Sequence, residues 1–160
     1  MTTMQHTATM QSPVGWLNLT ADDEALTVLH MDDEPTVADD PNDVLDRAVA
    51  ELTAYFAGEL TEFTVPCRGE GTEFQRKVWQ RLRDIPYGRT WTYGRLADSI
   101  GQPTASRAVG LANGRNPIAI IVPCHRVIGA NGALTGYAGG IERKKTLLDL
   151  EKHASTPALF

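Results

Sequence analysis

From Ala8 to His30 the pattern of polar and apolar positions is strand-like, which predicts short β-strands. Thr7–Gln11 and Trp16–Thr20 are separated by a Ser12-Pro13-Val14-Gly15 turn, and an acidic Asp22-Asp23-Glu24 turn leads into Ala25–Met31. Runs this short, broken by Pro, Gly and Asp, suggest an antiparallel meander. Then the pattern changes. Val44, Leu45, Ala48, Val49, Leu52 and Phe56 recur every three or four residues, predicting a helix that Gly58 terminates. Between these patterns, Asp32–Asp43 is acidic, holds two prolines and reads as a loop, while Glu59–Cys67 returns to extended character.

The second half reads as helical. Thr72 and Gln75 have capping-box spacing, Phe74, Val78, Leu82 and Ile85 line one face, and Pro86 with Gly88 ends the segment. Thr92 can cap a helix over Tyr93–Ile100, Gly101-Gln102-Pro103 makes a turn, and Thr104 can cap a second helix to about Asn113. Helix, short Gly-containing turn and second helix is the helix-turn-helix pattern, shared with many αα-hairpins that bind nothing. Small residues dominate the second helix: Ala105, Ala108, Gly110, Ala112 and Gly114, with Arg107 as the one long cation among them. Such a face allows either tight packing inside the domain or entry into a narrow groove, with Arg107 projecting into a duplex. The expected fold is therefore α+β. A small N-terminal antiparallel sheet with one helix occupies 1–66, and a mainly helical domain with the helix-turn-helix occupies 67–160.

At 160 residues, 42% hydrophobic and 22% charged, the chain has globular values and is not disordered. Its longest aliphatic run, Ile118 to Val122, is five residues, far short of the roughly 20 that span a bilayer. The start, MTTMQHTATM, carries no basic region followed by an apolar stretch, so no secretory signal is visible. Two cysteines, Cys67 and Cys124, make no disulfide framework and fit reduced thiols in a cytoplasm. The net charge of −5 averages two opposite halves. Residues 1–66 hold 13 acids and one base, Arg47; residues 67–160 hold 14 bases and 7 acids. A basic half in an acidic chain is an electrostatic footprint for phosphates, or else a bare solubility bias.

One segment concentrates the chemistry. Asn116 to Gly129 delivers an apolar run into a Pro123-Cys124-His125-Arg126 turn. A free thiol needs help to become a nucleophile, and a neighbouring His or Arg favours the thiolate. The competing readings are a core cysteine or a metal pair. Zinc takes about four ligands, and only Cys67 and three other histidines are available, without ligand spacing, so no metal is expected. Adjacent residues on a strand point to opposite faces, so His125 need not touch Cys124; the proton passes through a water or through local folding. Glu151, beside Leu147, Leu148 and Leu150 on the last helix, is a candidate to orient the imidazole, though helix-end glutamates are more often solvated.

The run IVPCHRVI at 121–128 is similar to the active-site signature of the O6-alkylguanine-DNA alkyltransferases, also called methylated-DNA–protein-cysteine methyltransferases. The similarity extends through TYGRLA (92–97), SRAVGLANGRNP (106–117), TGYAGG (135–140) and LLDLEK (147–152). It covers the second half nearly completely and the first half loosely, through the order and length of elements. It points to the repair-only form, the chain being too short for an attached regulatory zinc domain.

The resemblance implies direct reversal of DNA damage, with one alkyl group moved irreversibly from O6-alkylguanine in flipped-out duplex DNA to the protein's own cysteine. O4-alkylthymine stays open as a second substrate. Cys124 resembles the acceptor, His125 the base that works through a water, and Glu151 its orienter. Asn116 resembles the residue joining the recognition helix to the active-site turn, and Tyr93 the hydroxyl that helps guanine leave. Arg107 resembles the finger that fills the gap of the flipped base. Thr104, Ala105, Ser106, Ala108, Gly110 and Asn113 accompany it on the minor groove of double-stranded DNA. Val127, Tyr137 and Ala138 would line or close over the guanine, Ala138 standing where the family often has Ser. Arg126 resembles a residue that fixes the turn. No cofactor is implied, nor a membrane. The expected form is a cytoplasmic monomer, with cooperative assembly on DNA left open. A helix-turn-helix regulator would explain 92–114 but not Cys124 to Glu151, and a cysteine hydrolase would turn over repeatedly on an ester or amide. A non-enzymatic alkylguanine-binding relative would lack the cysteine.

Overall fold

The computed structural model describes residues 4–134, 137 and 139–155. They fall into two compact units, one of residues up to Glu70 with Pro117–Ile121, the other of Gly71–Asn116 with the residues from Val122 onward.

The first unit is the expected meander. Strands β1 (His6–Ser12), β2 (Gly15–Ala21) and β3 (Leu26–Asp32) form an antiparallel sheet in the order β1-β2-β3, with Leu19 opposite both Ala8 and Leu29. Pro13 and Val14 make the first hairpin, and Gly15 there takes a φ of 95°, which a side chain would resist. Asp22 shapes the second turn by accepting from the Glu24 and Ala25 amides at 2.8 and 2.9 Å, while Arg68 pairs with its other oxygen. Helix α1 (Asp43–Phe56) starts where the Asn42 side chain accepts from the Leu45 amide at 3.0 Å. It packs on the sheet, burying Leu45, Ala48, Leu52 and Tyr55 with Leu17, Leu19, Leu26 and Leu29. Asn18, one residue out of phase with Leu17 and Leu19, is also buried. Its Oδ1 accepts from the Thr36 amide at 2.7 Å, so the acidic loop closes over that position.

Glu59–Cys67, expected to be extended, contributes only an isolated bridge between Cys67 and Leu26. The apolar run also departs from its β-rich composition. Ile118 makes one isolated bridge to Leu29, flanked by Leu29 N–H to Pro117 O at 2.9 Å and Ala119 N–H to Leu29 O at 3.0 Å. The chain then turns sharply. The Ile121 amide donates to Ala119 O at 2.8 Å across Ile120, whose φ is 70°. That is a γ-turn of the rarer, strained hand, and Ile120 is the one non-glycine residue with positive φ among those described.

In the second unit, α2 (Glu73–Leu82) carries both bonds of the capping box, Gln75 N–H to Thr72 Oγ at 3.1 Å and Thr72 N–H to Gln75 Oε1 at 2.9 Å. Strand β4 (Trp91–Thr92) runs straight into α3 (Tyr93–Ser99), with the Thr92 hydroxyl accepting from the Arg95 amide as expected. Helix α4 (Ser106–Gly114) follows after the Gly101 turn, so the helix-turn-helix is present. Thr104 does not cap it, because the Ala105 amide closes a turn onto Gln102 O and Ala105 becomes the N-cap without a side-chain bond. Strand β5 (Val127–Ile128) pairs in parallel with β4, and α5 (Ile141–Ser155) closes the unit. Val78, Leu82, Ile85, Leu96, Val109, Val127 and Leu147 are buried in it. Among the described residues, no helix is long and apolar enough to cross a membrane.

Candidate active site

Cys124 is delivered by a second γ-turn. Pro123, with φ −82° and ψ 62°, lets the Cys124 amide donate to Val122 O at 2.8 Å. Cys124–Arg126 then forms a single 3-10 turn, with Arg126 N–H on Pro123 O. The expectation drawn from strand geometry, opposite faces for Cys124 and His125, therefore gives way to a helical turn. All three side chains are buried.

Helix α5 supplies what surrounds them. Lys144, Leu147 and Glu151 recur at spacings of three and four and form its buried face. His125 Nε2 lies 2.7 Å from Glu151 Oε2, both side chains being shut from solvent. Arg126 clasps the same carboxylate in a fork, Nε to Oε1 at 2.8 Å and Nη2 to Oε2 at 2.9 Å, and its Nη1 donates to Ile85 O at 2.8 Å. Burial works against a charged Glu151. The His125 and Arg126 donors outweigh it and hold the carboxyl at about 2. An ionised carboxylate only accepts, so the proton of the neutral imidazole sits on Nε2 and the lone pair on Nδ1. Nδ1 is buried and without a hydrogen-bond partner among the described residues. Burial also pushes the imidazole below its ordinary value, against the pull of Glu151, so at physiological pH it is neutral and its Nδ1 lone pair is free to take a proton.

The thiol needs that base. Burial raises Cys124 above its ordinary value, and the Asn116 side chain and the Lys144 charge oppose the rise. Asn116 is held by donating Nδ2 to Val122 O at 2.8 Å. Lys144, fully buried, donates Nζ to Val127 O at 2.6 Å. Burial lowers its own pKa, while the neighbouring Cys124 favours its charge. Lys144 is not among the residues that the sequence motifs single out. Its signal was a lysine in register with Leu147 and Glu151 on the apolar stripe of α5.

The remaining candidates divide. Tyr93 opens α3, half-buried, and a Cβ at Gly110 would stand 3.6 Å from its ring, so this helix position is small where α4 meets Tyr93. Tyr137 is half-buried overall, but its hydroxyl is enclosed and unbonded among the described residues. Burial and the nearby Cys124 push its pKa well above 10. Val127 is wholly buried and reaches the site through its carbonyl. Ala138 lies outside the described residues. On α4, Arg107, Ala108 and Leu111 are exposed on one face, preceded by exposed Thr104, while Ala105, Ser106 and Gly110 are half-buried. Asn113, expected on that outer face, points inward instead: it is 1% exposed and donates Nδ2 to Cys124 O at 3.3 Å. Ala112 is buried too, its carbonyl accepting from Trp79 Nε1 at 2.8 Å. The small-residue helix packs on one face and exposes Arg107 on the other. Among the described residues, no group of three or more His, Cys, Asp or Glu side chains could hold a metal ion.

Comparison with known proteins covers most of the chain. Residues 73–153 fit the family model of the 6-O-methylguanine DNA methyltransferase DNA binding domain, and residues 6–68 that of its ribonuclease-like domain. The chain is 56% identical to the methylated-DNA–protein-cysteine methyltransferase of Mycobacterium leprae, over 94% of each protein. It is 53% identical to the one of Methanosarcina acetivorans, covering 90% of this chain and 96% of that protein. Among solved structures, O6-methylguanine methyltransferase of Mycobacterium tuberculosis superposes with a TM-score of 0.88 at 53% identity, covering 97% of each chain. The M. tuberculosis OGT structure in complex with DNA gives 0.85 at 56% identity, over 93% of this chain and 94% of that one.

Proposed function

The chain belongs to the methylated-DNA–protein-cysteine methyltransferases, and from that membership we propose that it reverses DNA alkylation directly, moving the alkyl group of O6-alkylguanine onto Sγ of its own Cys124. The observation that carries this reading is the buried set of Cys124, His125 and Glu151, with Nε2 of His125 fixed by the carboxylate and Nδ1 left as base.

The substrate carbon is an alkyl ether, which calls for a soft, strong nucleophile. A thiolate meets that demand. His125 takes the thiol proton through a water, and Glu151 stabilises the imidazolium that results. Sulfur attacks the alkyl carbon in line with the C–O6 bond; S–C forms as C–O6 breaks, and the departing electron pair goes to the guanine. The Tyr93 hydroxyl donates toward that charge, Val127 O and Tyr137 hold the base, and the thiol proton ends on the guanine. Asn116 and Lys144 keep the sulfur from rising further in pKa. The product is a thioether with no leaving group for water to displace, so each molecule reacts once.

A stacked base cannot reach a buried sulfur, so the duplex must give it up by flipping, at a cost of a few kcal/mol. The exposed face of α4, with Thr104, Arg107 and Ala108, enters the minor groove and Arg107 fills the gap. This work belongs in the cytoplasm, where DNA is within reach and both thiols stay reduced. The test is intact mass after exposure to a duplex containing O6-methylguanine. One added CH2, absent in Cys124→Ser, is expected; an unchanged mass in folded protein overturns the reading. Repeated turnover of an ester or amide would favour a hydrolase.

A further inference from the structure

An open cleft of about 530 Å³ lies in the second unit beside the relay, lined by Pro86, Gly88, Arg89, Thr90, Trp91 and Arg95. Two guanidinium groups border it and no carboxylate does. Neither Arg89 nor Arg95 has an acidic partner within ion-pair distance among the described residues, unlike Arg81 on Asp84 or Arg126 on Glu151. Arg95 is also oriented: its guanidinium carbon sits 4.8 Å from the centre of the Trp91 ring. Two cations without an acidic partner among the described residues, one with its guanidinium carbon over an indole, suit an anion with several acceptor oxygens.

Two connections tie the cleft to the reacting cysteine. Trp91 pairs with Val127 and Thr92 with Ile128, so the strand bearing the indole lies against the residues that follow Cys124–Arg126. Gly88 in the lining is fastened to the same cluster, its N–H reaching Glu151 Oε1 at 3.4 Å, and Arg126 Nη1 holds the carbonyl of Ile85, which precedes Pro86. Tyr93 follows Thr92 directly.

We propose that Arg89 and Arg95 clamp a backbone phosphate of the DNA strand flanking the damaged base, making this cleft a phosphodiester subsite that anchors the strand as its base enters the pocket. The proposal rests on the DNA-repair reading above. It adds a phosphate contact away from the α4 face, on the β4–α3 side of Tyr93. A phosphate contact gives position and affinity without reading sequence.

The test is binding of the full-length protein to an undamaged duplex across a salt series, beside single-turnover reaction with free O6-benzylguanine. Arg89→Gln/Arg95→Gln should bind at least about tenfold more weakly at low salt, with the salt slope flattened by about one ion. Thr90→Glu, which leaves both arginines but sets a carboxylate between them, should weaken binding likewise. Reaction with the free base, which has no phosphate, should be unchanged in both. Arg76→Gln/Lys77→Gln on α2, equal in charge removed, should cost less. Wild-type affinity and slope in the Arg89/Arg95 variant overturn the subsite while the repair reading stands, and so does an equal loss in the α2 variant. Wild-type protein that neither binds duplex nor takes up an alkyl group sinks the repair reading itself.

Discussion

His125 and Glu151 meet at 2.7 Å in a space closed to solvent, and this contact decides which imidazole nitrogen is the base. With Nε2 committed to the carboxylate, Nδ1 is the atom left for the thiol proton. His125→Ala and Glu151→Gln should therefore slow alkyl transfer at neutral pH while binding to alkylated duplex changes little. Mildly alkaline pH should partly rescue both, because solvent then removes the thiol proton. Glu151→Gln should be the milder loss, as Gln still accepts a bond from Nε2. Single-turnover rates against pH, with folding checked by circular dichroism, decide it; a loss insensitive to pH would leave Glu151 a structural role alone.

The same carboxylate should make the protein acid-sensitive. Its pKa is about 2 when folded, against 4.5 ordinarily, so its stabilisation is complete above pH 4.5 and is lost as pH falls toward 2. The shift corresponds to about 3 kcal/mol. His125, held below its ordinary 6.5, acts in the same direction from that pH downward. Urea unfolding at successive pH values should show wild type falling steeply through this window. Glu151→Gln, weaker at neutral pH because Arg126 is left buried without its counter-charge, should converge with it in acid. Parallel curves would contradict the assignment.

Lys144 should govern the sulfur from below. Lys144→Met removes the buried cation that favours the Cys124 thiolate and strips Val127 O of its donor. The rate profile should move to higher pH, since the thiol's pKa rises, and stability should fall by about 1–3 kcal/mol. An unshifted profile with lowered stability would restrict Lys144 to holding the Val127 carbonyl.

Arg107→Ala should cost repair of duplex DNA far more than reaction with free O6-benzylguanine. Arg107 is exposed on α4, away from the buried cysteine cluster, and a free base needs no flipping. Equal losses on both substrates would place its role in folding or in the pocket.

Much of this was legible along the chain because the signals are local. A strand-like pattern gave way to a period near 3.6 where the sheet gives way to α1. The Thr72/Gln75 and Thr92 caps act within four residues and formed as their spacing predicts. Cys124, His125 and Glu151 stood out through the chemistry and spacing of their motifs. Tertiary structure decided the rest. Ile118 to Val122 has the composition of a strand, but two consecutive γ-turns around Ile120 and Pro123 break it, and nothing in β-propensity encodes a turn fixed by packing. Asn113 belongs by sequence to the small-residue helix, yet its amide turns inward because the Cys124 carbonyl, buried by the 3-10 turn, needs a donor there. Lys144 looks like an ordinary surface cation until α5 lies across the cysteine turn, where its ammonium finds Val127 O and Arg126, read from the sequence as fixing the turn, finds Glu151. Periodicity and caps report dihedral angles over one or two turns. Which buried polar group satisfies which depends on residues 11 to 41 positions apart, and only the folded chain brings them together.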